Sequence, residues 1–220
     1  RYRQLAFAQW RELHGKGELN EAQSHFFTSK PVELLFDVEA DPHEVENLAE
    51  RSEFQSILKD LRGRLQQKMK SIHDLSLYPE NQMIDLALKD GIAFGEKHSR
   101  EIEDLLDVVD LALLPWDQAG KQLSRALKSN NPRVRYWAVT ASAAFGEKVK
   151  PLLPSLKGLL DDTDAQVRIR AAEVLGMLRA VKPQSTIYDV LATSDSNAVA
   201  AAAMNAIVFL QDHHGYEFRI

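Results

Sequence analysis

The sequence predicts a mainly α-helical chain: an α-solenoid of about four helix pairs over residues 79–220, preceded by a small α+β segment over 1–78 with one clear strand. Three observations predict it. Apolar positions in the second half recur with a period of 32 to 33 residues. Short polar residues that suit helix N-caps stand at equivalent places before three of these copies. One short apolar run bounded by chain breakers, Val32–Val38, lies in the first third.

Taken in order, Tyr2 to Leu13 has helical spacing, with Leu5, Trp10 and Leu13 apolar and Gly15 and Gly17 ending the helix. A polar stretch leads through Phe26-Phe27 to Lys30-Pro31, and Val32–Val38 follows as the strand. A lone strand leaves its backbone edges unpaired. It therefore predicts a second strand nearby, partner strands from upstream sequence, or an exposed edge that dimerises. Asp41-Pro42-His43-Glu44 reads as a helix start, with Asp41 as N-cap, Pro42 at the first position and Glu44 closing a capping box. Phe54, Ile57, Leu58, Leu61, Leu65 and Met69 keep one helical face to about Ile72. Tyr78-Pro79-Glu80-Asn81 reads as the linker.

The second half is built from a repeated pattern. Ile102, Leu106, Val109 and Leu113 lie on one helix face, and their spacing returns at Val134, Ala138, Ala141 and Phe145. It returns again at Val167, Ala171, Val174 and Leu178, then at Val199, Ala203, Ala206 and Leu210. Shorter triplets alternate with these: Leu123, Ala126 and Leu127; Leu156, Leu159 and Leu160; Ile187, Val190 and Leu191. Asn131, Asp164 and Ser196 are the N-cap residues, and Pro132 occupies a first helical position where its missing N–H costs nothing. Helix pairs at this period stack because one pair cannot bury its apolar face alone. Asn131-Pro132-Arg133-Val134-Arg135 with Ala138, and Asp164-Ala165-Gln166-Val167-Arg168 with Ala171-Ala172 and Leu175-Gly176, resemble HEAT repeats of the short bacterial kind. The third copy, Ser196-Asn197-Ala198-Val199-Ala200, keeps the Val and loses the Arg.

Composition excludes several classes. The formal charge is −5, with 27 Lys+Arg against 32 Asp+Glu, which disfavours nucleic acid as a partner because phosphate binding needs a basic excess. The chain has no Cys, so disulfide scaffolds, thiolate zinc sites and cysteine nucleophiles are out. The Ala-rich stretch Ala198–Leu210 is too short and too weakly apolar to span a membrane, so no membrane partner is expected. It is apolar nearly all round, which predicts a cover from the tail Asp212–Ile220 or from a partner chain. The chain opens on Arg1-Tyr2-Arg3 without Met, and reads as a piece of something longer.

The first third resembles the C-terminal end of the sulfatase family. The residues that carry the likeness are Tyr2, Trp10, Gly17, Leu19, Gln23, Phe26-Phe27 and Lys30-Pro31, then Val32-Glu33-Leu34-Leu35-Phe36-Asp37-Val38 and Asp41-Pro42-His43-Glu44-Val45-Glu46-Asn47-Leu48-Ala49. Leu34 stands where the family usually has a second Glu, and Phe36 where it has Tyr. The resemblance implies a parent hydrolase of sulfate esters, with its catalytic domain upstream in cis and a periplasmic or extracellular location. It does not bring the chemistry. The family's formylglycine arises in a Cys/Ser-x-Pro-x-Arg segment beside a calcium ion; here Ser29-Lys30-Pro31 is followed by Glu33 in place of Arg. No catalytic residue, cofactor or metal is therefore expected in this chain, and calcium only in the absent catalytic domain.

The remaining constellations have structural readings beside functional ones. Asp41, Pro42, Glu44 and Asn47 can contact a substrate or metal, but helix capping explains their spacing. His14, His25, His43, His73, His98, His213 and His214 include no pair with the i, i+4 zinc spacing. Asp161, Asp162 and Asp164 lack the order of a calcium loop, and Asp164 serves better as an N-cap. Neither Gly15-Lys16-Gly17 nor Gly91–Gly95 is a phosphate loop. Arg133 and Arg135, then Arg168 and Arg170, recur at the start of consecutive long helices, read as the first helix of each pair. They form either a basic stripe for phosphate or sulfated glycan, or a ladder pairing with acids of the neighbouring repeat such as Asp161 or Asp162. The repeats then serve as a packing or protein-interaction module, self-association included.

Overall fold

The computed structural model describes residues 4–219, with only the backbone of Glu80, Asn81 and Asp85; expectations on Arg1, Tyr2, Arg3 and Ile220 lie outside the described residues. Among them are twelve α-helices and no β-strand. The helices are α1 (Leu5–Lys16), α2 (Glu21–Ser24), α3 (Gln55–Ser71), α4 (Glu80–Leu86), α5 (Gly91–Lys97), α6 (Ser99–Val109), α7 (Trp116–Ala126), α8 (Pro132–Ala143), α9 (Leu153–Gly158), α10 (Ala165–Met177), α11 (Gln184–Thr193) and α12 (Asn197–His214). Short 3-10 turns extend α6 over Asp110–Leu113 and precede α9 over Gly146–Leu152. Two compact units divide inside α3, Arg1–Arg62 and Gly63–Ile220. The sequence places its boundary later, between 78 and 79.

In the first unit, α1 ends where Gly17 takes φ +70°, a left-handed turn that a side chain would strain. The N–H of Gly17 donates to His14 O and that of Glu18 to Leu13 O, closing the last helical turn. A capping box forms at α2, where Asn20 and Gln23 exchange side-chain and backbone hydrogen bonds at 2.9 and 3.0 Å.

The expected strand is absent, and with it the expected second strand or dimerising edge. The reason is local competition for the backbone. The Leu35 N–H donates to Asn47 Oδ1 at 2.9 Å, the Asn47 Nδ2 donates to Glu33 O at 3.4 Å, and the Leu48 N–H donates to Leu35 O at 2.8 Å. A side-chain amide thus takes the place of a neighbouring strand at one point and cannot propagate a ladder. The expected helix start at Asp41 is also absent. The Asp41 carboxylate accepts from the N–H groups of Val45 and Glu46, each at 2.7 Å, and Glu44 sits at φ +52°. The chain makes a turn there, so Pro42 opens no helix and Glu44 closes no capping box; helix begins only at Gln55, after a 3-10 turn over Ser52–Phe54.

The second unit is a stack. α6 packs on α8, α8 on α10 and α10 on α12, while α7, α9 and α11 flank them. Ala138, Val139, Val167, Ala171, Val174 and Leu175 are buried at the centre, and Ala172, Ile187, Ala203, Ile207 and Leu210 continue the core toward the end of the array. Small residues bring the long helices close. A Cβ on Gly176 would stand 3.0 Å from Leu210 Cδ2 and 3.1 Å from Pro183 Cγ. The tail folds back over this junction. Tyr216 donates through its hydroxyl to Gly176 O at 2.9 Å, and the Phe218 ring meets Tyr188 edge-on. No described helix is long and apolar enough to cross a membrane.

Candidate functional site

The arginines of the long helices are held by the way those helices begin. Asn131 Oδ1 accepts from the Arg133 N–H at 2.9 Å, Asp164 Oδ1 from Gln166 and Val167 at 2.9 and 3.1 Å, and Ser196 Oγ from Val199 at 3.4 Å. Each cap satisfies first-turn amides and sets which side chains of that turn face the neighbouring helices. At the 33-residue offset between α8 and α10, Arg135 is the equivalent of Arg168, whereas Arg133 corresponds to Gln166 and Arg170 to Trp137.

Arg135 grips Asp162 with both prongs, Nε to Oδ2 at 2.7 Å and Nη2 to Oδ1 at 2.6 Å, and its Nη1 donates to Ser129 O at 2.8 Å. The Asp162 side chain is 5% exposed, so no ligand can reach this pair without opening it. Burial alone would raise the Asp162 carboxyl, but Arg135 and the Asp164 N–H hold it below the usual aspartate range. Arg168 donates to Leu160 O at 3.1 Å and pairs with Asp189. Arg170 pairs with Glu173, bonds the Tyr136 hydroxyl and lies over the Tyr136 ring, 4.9 Å from its centroid. Burial pushes the Glu173 carboxyl up against the pull of Arg170.

Arg133 belongs to a separate knot that the sequence did not reveal. Its Nη1 donates to Glu101 Oε1 at 3.0 Å, its Nε to Gln82 Oε1 at 2.9 Å, and its guanidinium lies 5.1 Å from the Tyr78 ring centroid. Glu101 also accepts from the Tyr78 hydroxyl at 2.5 Å and from Asn131 Nδ2 at 2.7 Å. Burial opposes its charge, but these bonds and Arg133 hold its carboxyl below the usual range, while burial and the Glu101 bond raise the Tyr78 phenol. Trp137 Nε1 donates to Leu77 O at 2.8 Å, fastening the segment before α4 to α8. The partners stand 23 to 60 residues apart in sequence, so no local spacing announces them. The visible signal was the aromatic pair Tyr136-Trp137 inside a repeat helix.

All four arginines are thus engaged within the second unit. Arg133 and Arg170 tie successive long helices, Arg135 ties α8 to the turn before α10, and Arg168 ties α10 to α11. Each arginine has at least one partner on a neighbouring element.

In the first unit, an open groove of about 410 Å³ lies between the 25–31 loop and the turn at 43–47, lined by His25, Lys30, Phe36, His43 and Glu44 among others. The structure brings Glu44 and Asn47 to this groove, but Asn47 is taken up by the 33–35 backbone. Among the described residues no group of three or more His, Asp or Glu side chains is placed to hold a metal ion.

Residues 152–178 match the HEAT repeat family. That span takes in α9 and α10, so the longer helix is the second of its pair and not the first, as the sequence suggests. Counted this way, α7/α8, α9/α10 and α11/α12 are whole pairs, with α5 and α6 ahead of them. The chain is also 40% identical over 74 residues to the ulvan-active sulfatase of Formosa agariphila. That stretch is 33% of this chain and 12% of the relative, so the chain spans only a small part of the protein it resembles. No solved structure matches.

Proposed function

We propose that this chain is a non-catalytic C-terminal portion of a sulfatase-like hydrolase of sulfate esters, and that its helical repeats serve as a packing or protein-interaction module. The observation that carries the reading is the 40% identity to a sulfatase over 74 residues. The burial pattern of the first unit supports it. Among its described residues only Leu48 and Leu58 are buried hydrophobics, while Leu5, Phe26, Val32, Leu34, Val38 and Val45 stand exposed. A unit of this size needs a core to be stable, and two buried leucines do not make one. A catalytic domain upstream in cis is the cover this surface calls for. The formylglycine segment and its calcium belong to that domain.

A freestanding repeat scaffold is the competing reading, favoured by the HEAT match at 152–178. It leaves the exposed apolar residues of the first unit unexplained.

Reading the coding DNA in frame upstream of Arg1 tests the choice. A long extension with Cys/Ser-x-Pro-x-Arg is the expected result, and a start codon close to Arg1 overturns the sulfatase reading. The chain alone should not hydrolyse a generic aryl sulfate, with or without added calcium; turnover above a heat-killed control counts equally against it.

A further inference from the structure

We infer that the junction between α8 and α10 is a binding site for one buried water molecule, held by the side-chain amide of Gln166.

The inference starts from one position of the repeat. At offsets of 32 and 33 residues, Glu101 on α6, Arg133 on α8 and Gln166 on α10 are equivalent. The first two meet directly, Arg133 Nη1 donating to Glu101 Oε1 at 3.0 Å. The next rung does not close in the same way. Arg133 is engaged with Glu101, Gln82 and the Tyr78 ring, all on the side away from α10. Gln166 is only 9% exposed, and its Nε2 is buried with no hydrogen-bond partner among the described residues. Its backbone N–H is capped by Asp164, so the side-chain amide is the unsettled group. A buried N–H without an acceptor has lost its hydration and gained nothing in return, which is why such groups pair with protein or with ordered water.

The acceptor has a place to sit. Gln166 lines a recess at the first turns of α8 and α10, with Arg133, Tyr136, Trp137 and Asp164 among its walls. The recess has room for about 10 Å³, and a single water needs about 10–15 Å³. That size decides the ligand. A sulfate, a phosphate or a carboxylate brings two or more oxygens and does not fit, whereas one oxygen does. Charge agrees with size. The Arg133 guanidinium is already matched by Glu101, and Asp164 adds a second carboxylate, so the recess holds no excess positive charge for an anion. Water suits the mixed lining because it accepts and donates at once. It accepts from Gln166 Nε2 and donates to Asp164, whose carboxylate keeps lone pairs beyond the two backbone bonds at Oδ1. It then has the two partners that a buried water requires, and it continues between α8 and α10 the rung that Arg133 and Glu101 make directly.

A crystal structure of the full chain, at a resolution that shows ordered solvent, tests this together with one substitution. The expected result is a water about 2.7–3.2 Å from Gln166 Nε2 with a second protein partner. A recess without solvent density overturns the inference. So does a sulfate, a phosphate or the carbonyl of a neighbouring polypeptide in the water's place. Gln166→Met keeps most of the side-chain volume and removes the amide. With water paired to that amide, the variant forfeits the bond and strands the water's other partner, so its melting temperature should fall by about 2–4 °C. An amide that is stranded in the wild type gives the opposite sign, because removing it relieves the burial of an unpaired donor. A melting temperature that rises or stays the same therefore overturns the inference. The wild-type crystal decides by itself should the variant fail to fold. Neither arm bears on the sulfatase reading, which the upstream coding sequence decides separately.

Discussion

Replacing Asp162 with Asn tests whether the arginines hold the repeats together. Asn keeps the shape and the acceptor for the Asp164 N–H, at 2.8 Å from Oδ1 in the wild type, but removes the charge opposite Arg135. The Arg135 side chain, 13% exposed, keeps the Oδ1 and the Ser129 carbonyl as acceptors but loses its counter-charge and the acceptor for Nε. Breaking a buried ion pair from one side costs about 3–5 kcal/mol; the partial access of Arg135 to water lowers this to about 2–3 kcal/mol. For a unit of this size that is roughly 5–10 °C in melting temperature. Arg135→Met with Asp162→Leu should recover most of the loss, because no charge is then stranded. The pH dependence has a definite sign. The folded Asp162 carboxyl titrates below its ordinary 3.8, so the pair's contribution is fully present above that value and is lost as pH falls through the lower folded one. Thermal melts of the two forms should therefore differ at neutral pH and converge in strong acid. An Asp162→Asn protein that melts with the wild type at pH 7 would refute the locking argument and reopen the case for a ligand at these arginines.

Three further outcomes follow from the packing. Gly176→Ala forces a Cβ against Leu210 and Pro183 and should cost about 1–3 kcal/mol in denaturant unfolding of the second unit; no loss would mean that α10 and α12 have room to part. Asn47→Ala removes the acceptor for the Leu35 and Ala49 N–H groups, so amide exchange at both should quicken markedly while exchange in α10 stays unchanged. Unchanged protection at Leu35 would show that Asn47 does not hold the 33–35 segment. Truncation after Gly215 strips the Tyr216 hydroxyl bonds and the Phe218–Tyr188 contact and should lower the melting temperature by several degrees; an unaltered melt would show that the tail covers nothing that matters.

Much of the array was legible in the sequence because helices are local. A 3.6-residue turn brings i, i+3 and i+4 onto one face, so Val167, Ala171, Val174 and Leu178 announce their helix without reference to the rest of the chain. The caps are local in the same way: Asn131, Asp164 and Ser196 each bond amides two or three residues on. The arginines were visible as a pattern, but their partners were not. Arg133 meets Glu101 from 32 residues away and Trp137 meets Leu77 from 60, distances over which spacing carries no information. Val32–Val38 shows the limit most plainly. Its apolar run suits a strand, yet a strand exists only if another backbone lies beside it, and here Asn47 and Leu48 reach the same groups first. Asp41-Pro42-His43-Glu44 has the residues of a helix start, and the same Asp41 carboxylate instead gathers Val45 and Glu46 into a turn. By itself the sequence determined the period, the long helices of the array and the caps at Asn131, Asp164 and Ser196, because helix faces and caps are set by bonds within one or two turns; it did not announce α4 or α5. Which backbone groups pair across the chain, which acid each arginine meets, and which side-chain amide of α10 is buried without a protein partner were decided by the tertiary structure, because each depends on segments that meet only once the chain has folded.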